Sequence, residues 1–106
     1  MTEARALAGA TSDFAEGSIT PVTLHGQELV IIRREGEFFA LPDRCTHENY
    51  PLHDGELEGD RIRCFKHGAT FNLYTGRATL PAFRKIRIFQ TEVEDDQLFV
   101  VMQQVP

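Results

Sequence analysis

The chain has 106 residues, 42 % of them hydrophobic, with eight Phe, two Tyr, no Trp and a formal net charge of −5. That length suits one domain with a modest core and leaves no room for a separate catalytic domain. The negative balance argues against general nucleic-acid binding and suits a soluble protein that meets partners through complementary fields. No stretch is long and apolar enough to span a bilayer and the first ten residues lack a signal-peptide layout, so no membrane association and a cytoplasmic location are expected.

In chain order the pattern is one of short strands punctuated by turns, which predicts an all-β fold. Met1 to Ala10 is Ala-rich and reads as a frayed tail or a short helical turn. Ile19 to Leu24 is a strand that Pro21 places at an edge or bend. His25-Gly26-Gln27 is a tight turn, with His25 solvated. Glu28 to Arg34 is the most apolar strand, carrying Leu29, Val30, Ile31 and Ile32 in succession. Glu35-Gly36-Glu37 turns the chain into Phe38-Phe39-Ala40-Leu41, continuing a meander. From Pro42 to Gly59 the regular pattern stops, and a loop of this length in a small domain is either functional or disordered. Arg61 to Cys64 and Ala69 to Tyr74 are two short strands. Leu80-Pro81-Ala82 is no regular central strand. Arg84 to Val93 alternates as a strand, with Ile86, Ile88 and Gln90 on one face and Arg87 and Phe89 on the other. Glu94-Asp95-Asp96 is an acidic turn, and Gln97 to Met102 is the last strand.

Chemistry concentrates in Cys45-Thr46-His47 and Cys64-Phe65-Lys66-His67, with sixteen residues between them. Each segment offers one thiolate and one imidazole. That pattern can hold an iron–sulfur cluster with mixed ligands, in which one iron takes both sulfurs and the other both nitrogens, and a chain of this kind moves electrons singly. Exchanging two thiolates for neutral imidazoles removes negative charge from the shell, so the reduced state costs less than in an all-cysteine site. Two Cys and two His also make a tetrahedral zinc shell, although common zinc spacings keep like ligands together and here each loop is mixed. A reactive cysteine with a histidine base is a further rival, and it leaves the repeated pairing unexplained. Both cysteines lie inside the motif, so a disulfide would abolish the site.

Cys45-Thr46-His47 and Cys64-Phe65-Lys66-His67-Gly68 resemble the Rieske motif, Cys-x-His followed by Cys-x-x-His. The likeness extends to Phe38-Phe39-Ala40-Leu41, Leu52 to Gly55, Phe71, Thr75-Gly76 and Pro81-Ala82, and the length is similar to the small Rieske-type ferredoxins of bacterial ring-hydroxylating dioxygenase systems. The resemblance implies one [2Fe-2S] cluster, with Cys45 and Cys64 on the inner iron and His47 and His67 on the outer. It implies a single domain over 1–106, an antiparallel β sandwich or barrel base (about 11–43 and 84–102) with a cluster-binding subdomain (about 44–83) inserted, and Leu80, Pro81 and Ala82 shielding the cluster. It also implies a monomeric electron carrier and not an enzyme. Electrons would come from a flavin-dependent, NAD(P)H-driven ferredoxin reductase and go to the Rieske centre of a terminal oxygenase. The alternative is a small reductase subunit resembling that of assimilatory nitrite reductase.

Departures from the pattern carry information. Respiratory Rieske proteins bridge their loops with two further cysteines, and the matching positions here hold Tyr50 and Lys66. Those proteins also hydrogen-bond cluster sulfurs through a serine and a tyrosine, where this chain has Ala69 and Phe71. Fewer donors mean a less stabilised reduced cluster and a midpoint near the bottom of the Rieske range, around −150 mV. Phe65-Lys66 also stands where proline often follows the cysteine.

Among the remaining residues, Asp54, Glu56, Glu58 and Asp60 form an acidic run that reads either as a solvated loop or as a docking patch for a basic partner. His53 reads as a surface histidine. Glu92, Glu94, Asp95 and Asp96 read as solvated, Arg84, Lys85 and Arg87 as strand-face charges. Phe38, Phe39, Phe71, Phe83, Phe89 and Phe99 are expected in the core or over the cluster.

Overall fold

The computed structural model of the protein describes residues 3–46, 50–66, 68–80 and 82–103. Nine strands run β1 (Glu3–Ala10), β2 (Ile19–Leu24), β3 (Gln27–Arg34), β4 (Glu37–Pro42), β5 (Glu56–Glu58), β6 (Arg61–Arg63), β7 (Thr70–Asn72), β8 (Thr91–Glu94) and β9 (Gln97–Gln103). Two single 3₁₀ turns, Thr11–Asp13 and Leu52–Asp54, are the helical elements among the described residues. All strand pairs are antiparallel, in three sheets ordered β1-β9-β8, β2-β3-β4 and β5-β6-β7. The all-β antiparallel expectation holds.

The run Leu29-Val30-Ile31-Ile32 is apolar without alternation because both of its faces are buried. Val30 and Ile32 share one face with Phe39 and Leu41, their neighbours on β4, and join Ile62, Phe71, Cys45 and Cys64 in one apolar cluster. Leu29 and Ile31, with Ala40, point the other way and pack with Ala6, Leu98, Val100 and Met102 of the β1-β9-β8 sheet. The middle sheet therefore stands between the outer β1-β9-β8 sheet and the apolar cluster that holds the thiols and residues of β6 and β7. Its strand turns follow from positive φ at His25 and Gly26 and at Glu35 and Gly36, the pattern that matches strand twist in two-residue hairpins. Glu16 closes the second of these turns by accepting the backbone N–H groups of Glu35 and Gly36, which hold its carboxyl below the usual range. Pro21 lies on β2, an edge strand of its sheet, where its missing N–H costs no ladder bond.

Three expectations need correction. The segment after Met1-Thr2 is neither a tail nor a helical turn but strand β1, paired along β9 from Glu3 to Ala10 with a bulge between Leu7 and Gly9. Ala6 is buried in the outer cluster opposite Val100, so tertiary pairing overrides the helix preference of alanine. Arg84 to Val93 is not one strand, since only Thr91–Glu94 pairs continuously. The preceding residues bond in turn to three separate segments: Ile86 N–H to Gly76 O, Phe89 N–H to Ala40 O, and Gln90 O from Val101 N–H. Ile86 and Ile88 do meet the thiol-side cluster while Phe89 enters the outer one, so the alternation was real but its partner was not a single strand. The irregular stretch from Pro42 to Gly59 also contains β5.

Gly76 explains how the chain folds back against Ile86. Its φ of +77° and the 2.0 Å that would separate a Cβ from the Ile86 carbonyl oxygen leave no room for a side chain. Gly36 has a φ of +79° but open space around it. Gly36→Ala should cost about 1–2 kcal/mol for the left-handed backbone alone. Gly76→Ala should cost roughly 3 kcal/mol or more, because overlap adds to that strain. Urea titrations of the two loaded variants check the gap between them.

Candidate metal centre

The centre begins where β4 and β6 end. Past Asp43, whose N–H donates to Glu28 O at 3.0 Å, the chain reaches Cys45, and Cys45 N–H donates to Tyr50 O at 2.9 Å. Past Arg63 it reaches Cys64, whose N–H donates to Ala69 O at 2.7 Å. Each cysteine thus sits at the mouth of a loop closed by a backbone bond to the fifth residue beyond it. His47 and His67 fall inside these two loops and lie outside the described residues, as does Pro81.

Cys45 is 3 % exposed and Cys64 1 %, and the two are not joined as a disulfide. Both belong to the apolar cluster with Leu41, Leu52, Ile62, Ala69, Phe71 and Ala82. A buried pair of thiols in an apolar wall, each at the base of a loop bearing an imidazole, fits a cofactor that takes sulfur on its protected side and nitrogen on its outer side. Ala69 and Phe71 are fully buried in that wall and offer no side-chain hydroxyl.

Several contacts hold the loops, and most were not visible in the sequence. Tyr50 and Phe65 meet edge to face with centroids 5.9 Å apart, and Lys66 Nζ lies 5.5 Å from the Tyr50 ring. The positions that respiratory relatives bridge covalently are here joined by a cation–π contact. Arg63 donates from Nη1 to Gly68 O at 3.0 Å and from Nη2 to Glu58 Oε1 at 2.7 Å, with Nε also on the Glu58 carboxylate. Glu58, read as a docking candidate, thereby braces the second loop, and the Arg63 hydrogen bonds hold its carboxyl below the usual range. Asp54, Glu56 and Asp60 are exposed. Asp43, its side chain 6 % exposed, accepts from the backbone N–H of His53 at 2.9 Å and meets Nδ1 of the same residue at 2.6 Å. His53 is exposed, as expected of a surface histidine, and is anchored by these two bonds. It ties the 3₁₀ turn to the start of the first loop.

The segment bearing Leu80 and Ala82 is pinned at both ends. Thr79 N–H donates to Thr70 O, Thr79 Oγ1 accepts from Thr70 N–H, and the two hydroxyls lie 2.9 Å apart. At the far end Thr46 Oγ1 donates to Arg84 O at 2.6 Å. Ala82 is buried beside the thiols, whereas Leu80 is exposed. Phe83, expected inside, projects into solvent, because the buried place in this turn goes to the smaller Ala82. Of the other expected core aromatics, Phe39, Phe71 and Phe89 are buried, while Phe38 and Phe99 are half-covered and carry Arg33 and Arg5 over their rings.

A family model described as Rieske [2Fe-2S] domain matches residues 4–103. The chain belongs to this family. Its cofactor is a Rieske-type [2Fe-2S] cluster. The Rieske chain is similar to the ferredoxin component of the p-cumate 2,3-dioxygenase system of Pseudomonas putida, 40 % identical over 94 residues that cover 86 % of this chain and 80 % of that one. It is similar also to the ferredoxin component of the naphthalene 1,2-dioxygenase system of Pseudomonas putida, at 35 % identity over 92 residues, 86 % of this chain and 88 % of the relative. Among solved structures, it superposes on a chain of the complex of reduced oxygenase and oxidized ferredoxin in carbazole 1,9a-dioxygenase with a TM-score of 0.85, 33 % identity and 92 % of each chain covered.

Two outcomes follow for this Rieske domain. The midpoint should lie near −150 mV, and Ala69→Ser or Phe71→Tyr, each adding a hydroxyl to the apolar wall, should raise it. Protein-film voltammetry of the three proteins checks the order. The hydrogen bond to Asp43, aided by the charges of Asp43, Asp54 and Glu28, raises the pKa of His53. Stabilisation from this pair is complete below the ordinary histidine pKa and fades as pH climbs through the raised one. The thermal midpoint of the loaded wild type should therefore exceed that of His53→Gln by more at about pH 5 than at about pH 9.

Proposed function

We propose that this Rieske protein is a one-electron carrier, a ferredoxin component that delivers electrons to the terminal oxygenase of an aromatic ring-hydroxylating dioxygenase system. The observation that carries the reading is likeness along nearly the whole length of proteins with that role, at 35–40 % identity. In this reading Cys45 and Cys64 hold the inner iron and His47 and His67 the outer. The cluster supplies the one-electron couple, and the chain's own residues supply its setting. Leu41, Leu52, Ile62, Ala69 and Phe71 keep water from the thiolates. The backbone bonds at Cys45 and Cys64 fix the two loops, and the Thr70–Thr79 and Thr46–Arg84 bonds fix the segment beside them.

The reductant on the other side of the chain's work is a flavin-dependent reductase driven by NAD(P)H. We assign 44–83 as the cluster-binding unit and the rest as its base. The carrier works as a monomer in the cytoplasm, a setting in which two buried, unbridged thiols are at home. Among the described residues no helix is long and apolar enough to cross a membrane.

Coulometric titration of the anaerobically isolated protein should take up one electron per chain and bleach its visible bands, and reoxidation by an oxidised terminal oxygenase should restore them. His47→Cys and His67→Cys should each lose the Rieske-type EPR signal or lose the cluster. A colourless protein carrying zinc, or an unchanged EPR signal in either variant, overturns the assignment.

A further inference from the structure

The end of the molecule that carries the thiols is built unlike the rest of its surface. Six large hydrophobic side chains are exposed among the described residues, and three of them belong to segments that converge here: Phe65 next to Cys64, and Leu80 and Phe83 on either side of buried Ala82. Phe83 is 86 % exposed and Leu80 71 %, more than any other large hydrophobic side chain described. Two contacts fix the convergence: Phe65 packs on Tyr50 beyond the first loop, and Thr46 of that loop holds the carbonyl of Arg84. The fold leaves Leu80 and Phe83 to solvent, and large hydrophobic side chains exposed at one end of a protein mark a surface that a partner covers.

Among the described residues the unpaired charges on these segments are positive. Arg44, Lys66, Arg84 and Lys85 are all exposed, and among the described residues none of the four is in an ion pair. The one described carboxylate of these segments, Asp43, is buried against His53. Four of the chain's eleven Lys and Arg thus lie on the segments that carry Cys45, Cys64 and Ala82, in a protein whose net charge is −5. The acidic run is different in kind. Glu58 is closed on Arg63, Asp54 lies 3.6 Å from His53 Nε2, and Arg61 and Arg63 interleave with the remaining acids.

We propose that the electron acceptor docks on the Phe65–Leu80–Phe83 end, and that the face it presents is an apolar centre bordered by carboxylates. This deepens the electron-carrier reading and rests on it. Leu80 and Phe83 supply the dry contact that holds the complex, while Arg44, Lys66, Arg84 and Lys85 orient the approach. The acidic run is left outside the contact.

Small outer-sphere oxidants test the field at the exit. One electron leaves the dithionite-reduced protein and one reduces ferric EDTA, an anion, or hexaammineruthenium(III), a cation, with no proton or group transferred. Stopped-flow rates should fall with added salt for ferric EDTA and rise for hexaammineruthenium(III), the reverse of what the net charge alone dictates. Arg84→Glu with Lys85→Glu should invert both slopes, and Asp54→Asn with Glu56→Gln and Asp60→Asn should leave both signs as they are. Slopes that follow the net charge in the wild type, or that respond to the acidic set instead, overturn the proposal. For the apolar centre, the terminal oxygenase of carbazole 1,9a-dioxygenase from Nocardioides aromaticivorans IC177, to one-third of which the chain is similar in fold, serves as acceptor. Phe83→Ser should slow its reduction at least several-fold while leaving the rates with both small oxidants unchanged, and equal rates of wild type and variant with that oxygenase overturn the proposal. Failure of the wild type to give up its electron to any oxidant would instead strike the electron-carrier reading.

Discussion

The structure depends on β3 being buried on both sides. A strand in a two-layer fold needs only one apolar face, and its sequence then alternates. Here Leu29 and Ile31 are committed to the outer sheet while Val30 and Ile32 are committed to the wall behind the thiols. Each such side chain contributes about 1.5–3 kcal/mol on burial, so neither layer can detach without loss to the other. The wall that shelters Cys45 and Cys64 is thereby tied to the outer sheet.

Against this rigid backing the loops are secured without a covalent bridge. The Tyr50–Lys66 contact spans the positions of the respiratory disulfide, Glu58 and Arg63 brace the second loop, and Asp43 with His53 brace the first. Each contact is modest alone, since exposed pairs and cation–π contacts contribute around 1 kcal/mol or less. Their advantage is chemical: none can be reduced, so a protein whose task is to gain and lose electrons does not expose its own architecture to them.

Much of this was legible from residues alone. Pro21, the His25-Gly26 and Glu35-Gly36 turns and the apolar run place β2, β3 and β4 almost to the residue, because turn chemistry and periodicity are local signals. The Cys/His spacing marked the candidate centre for the same reason. What stayed hidden was settled by distant partners. β1 is a strand because β9 lies beside it, nearly the whole chain away. Ile86 to Gln90 look like a strand but divide their backbone bonds among three neighbours. Nothing in the run Asp54 to Asp60 marks Glu58 as the member that Arg63 would claim, and ten residues separate Asp43 from the His53 it holds. Phe83 was placed inside by its chemistry, whereas the structure gives that place to Ala82.

The Thr46–Arg84 bond has a consequence of its own. Thr46 lies between the first cysteine and the first histidine of the motif, and the carbonyl it holds directly follows Phe83. Pressure applied at that outward ring therefore arrives, one hydrogen bond later, at the residue beside the first buried thiol.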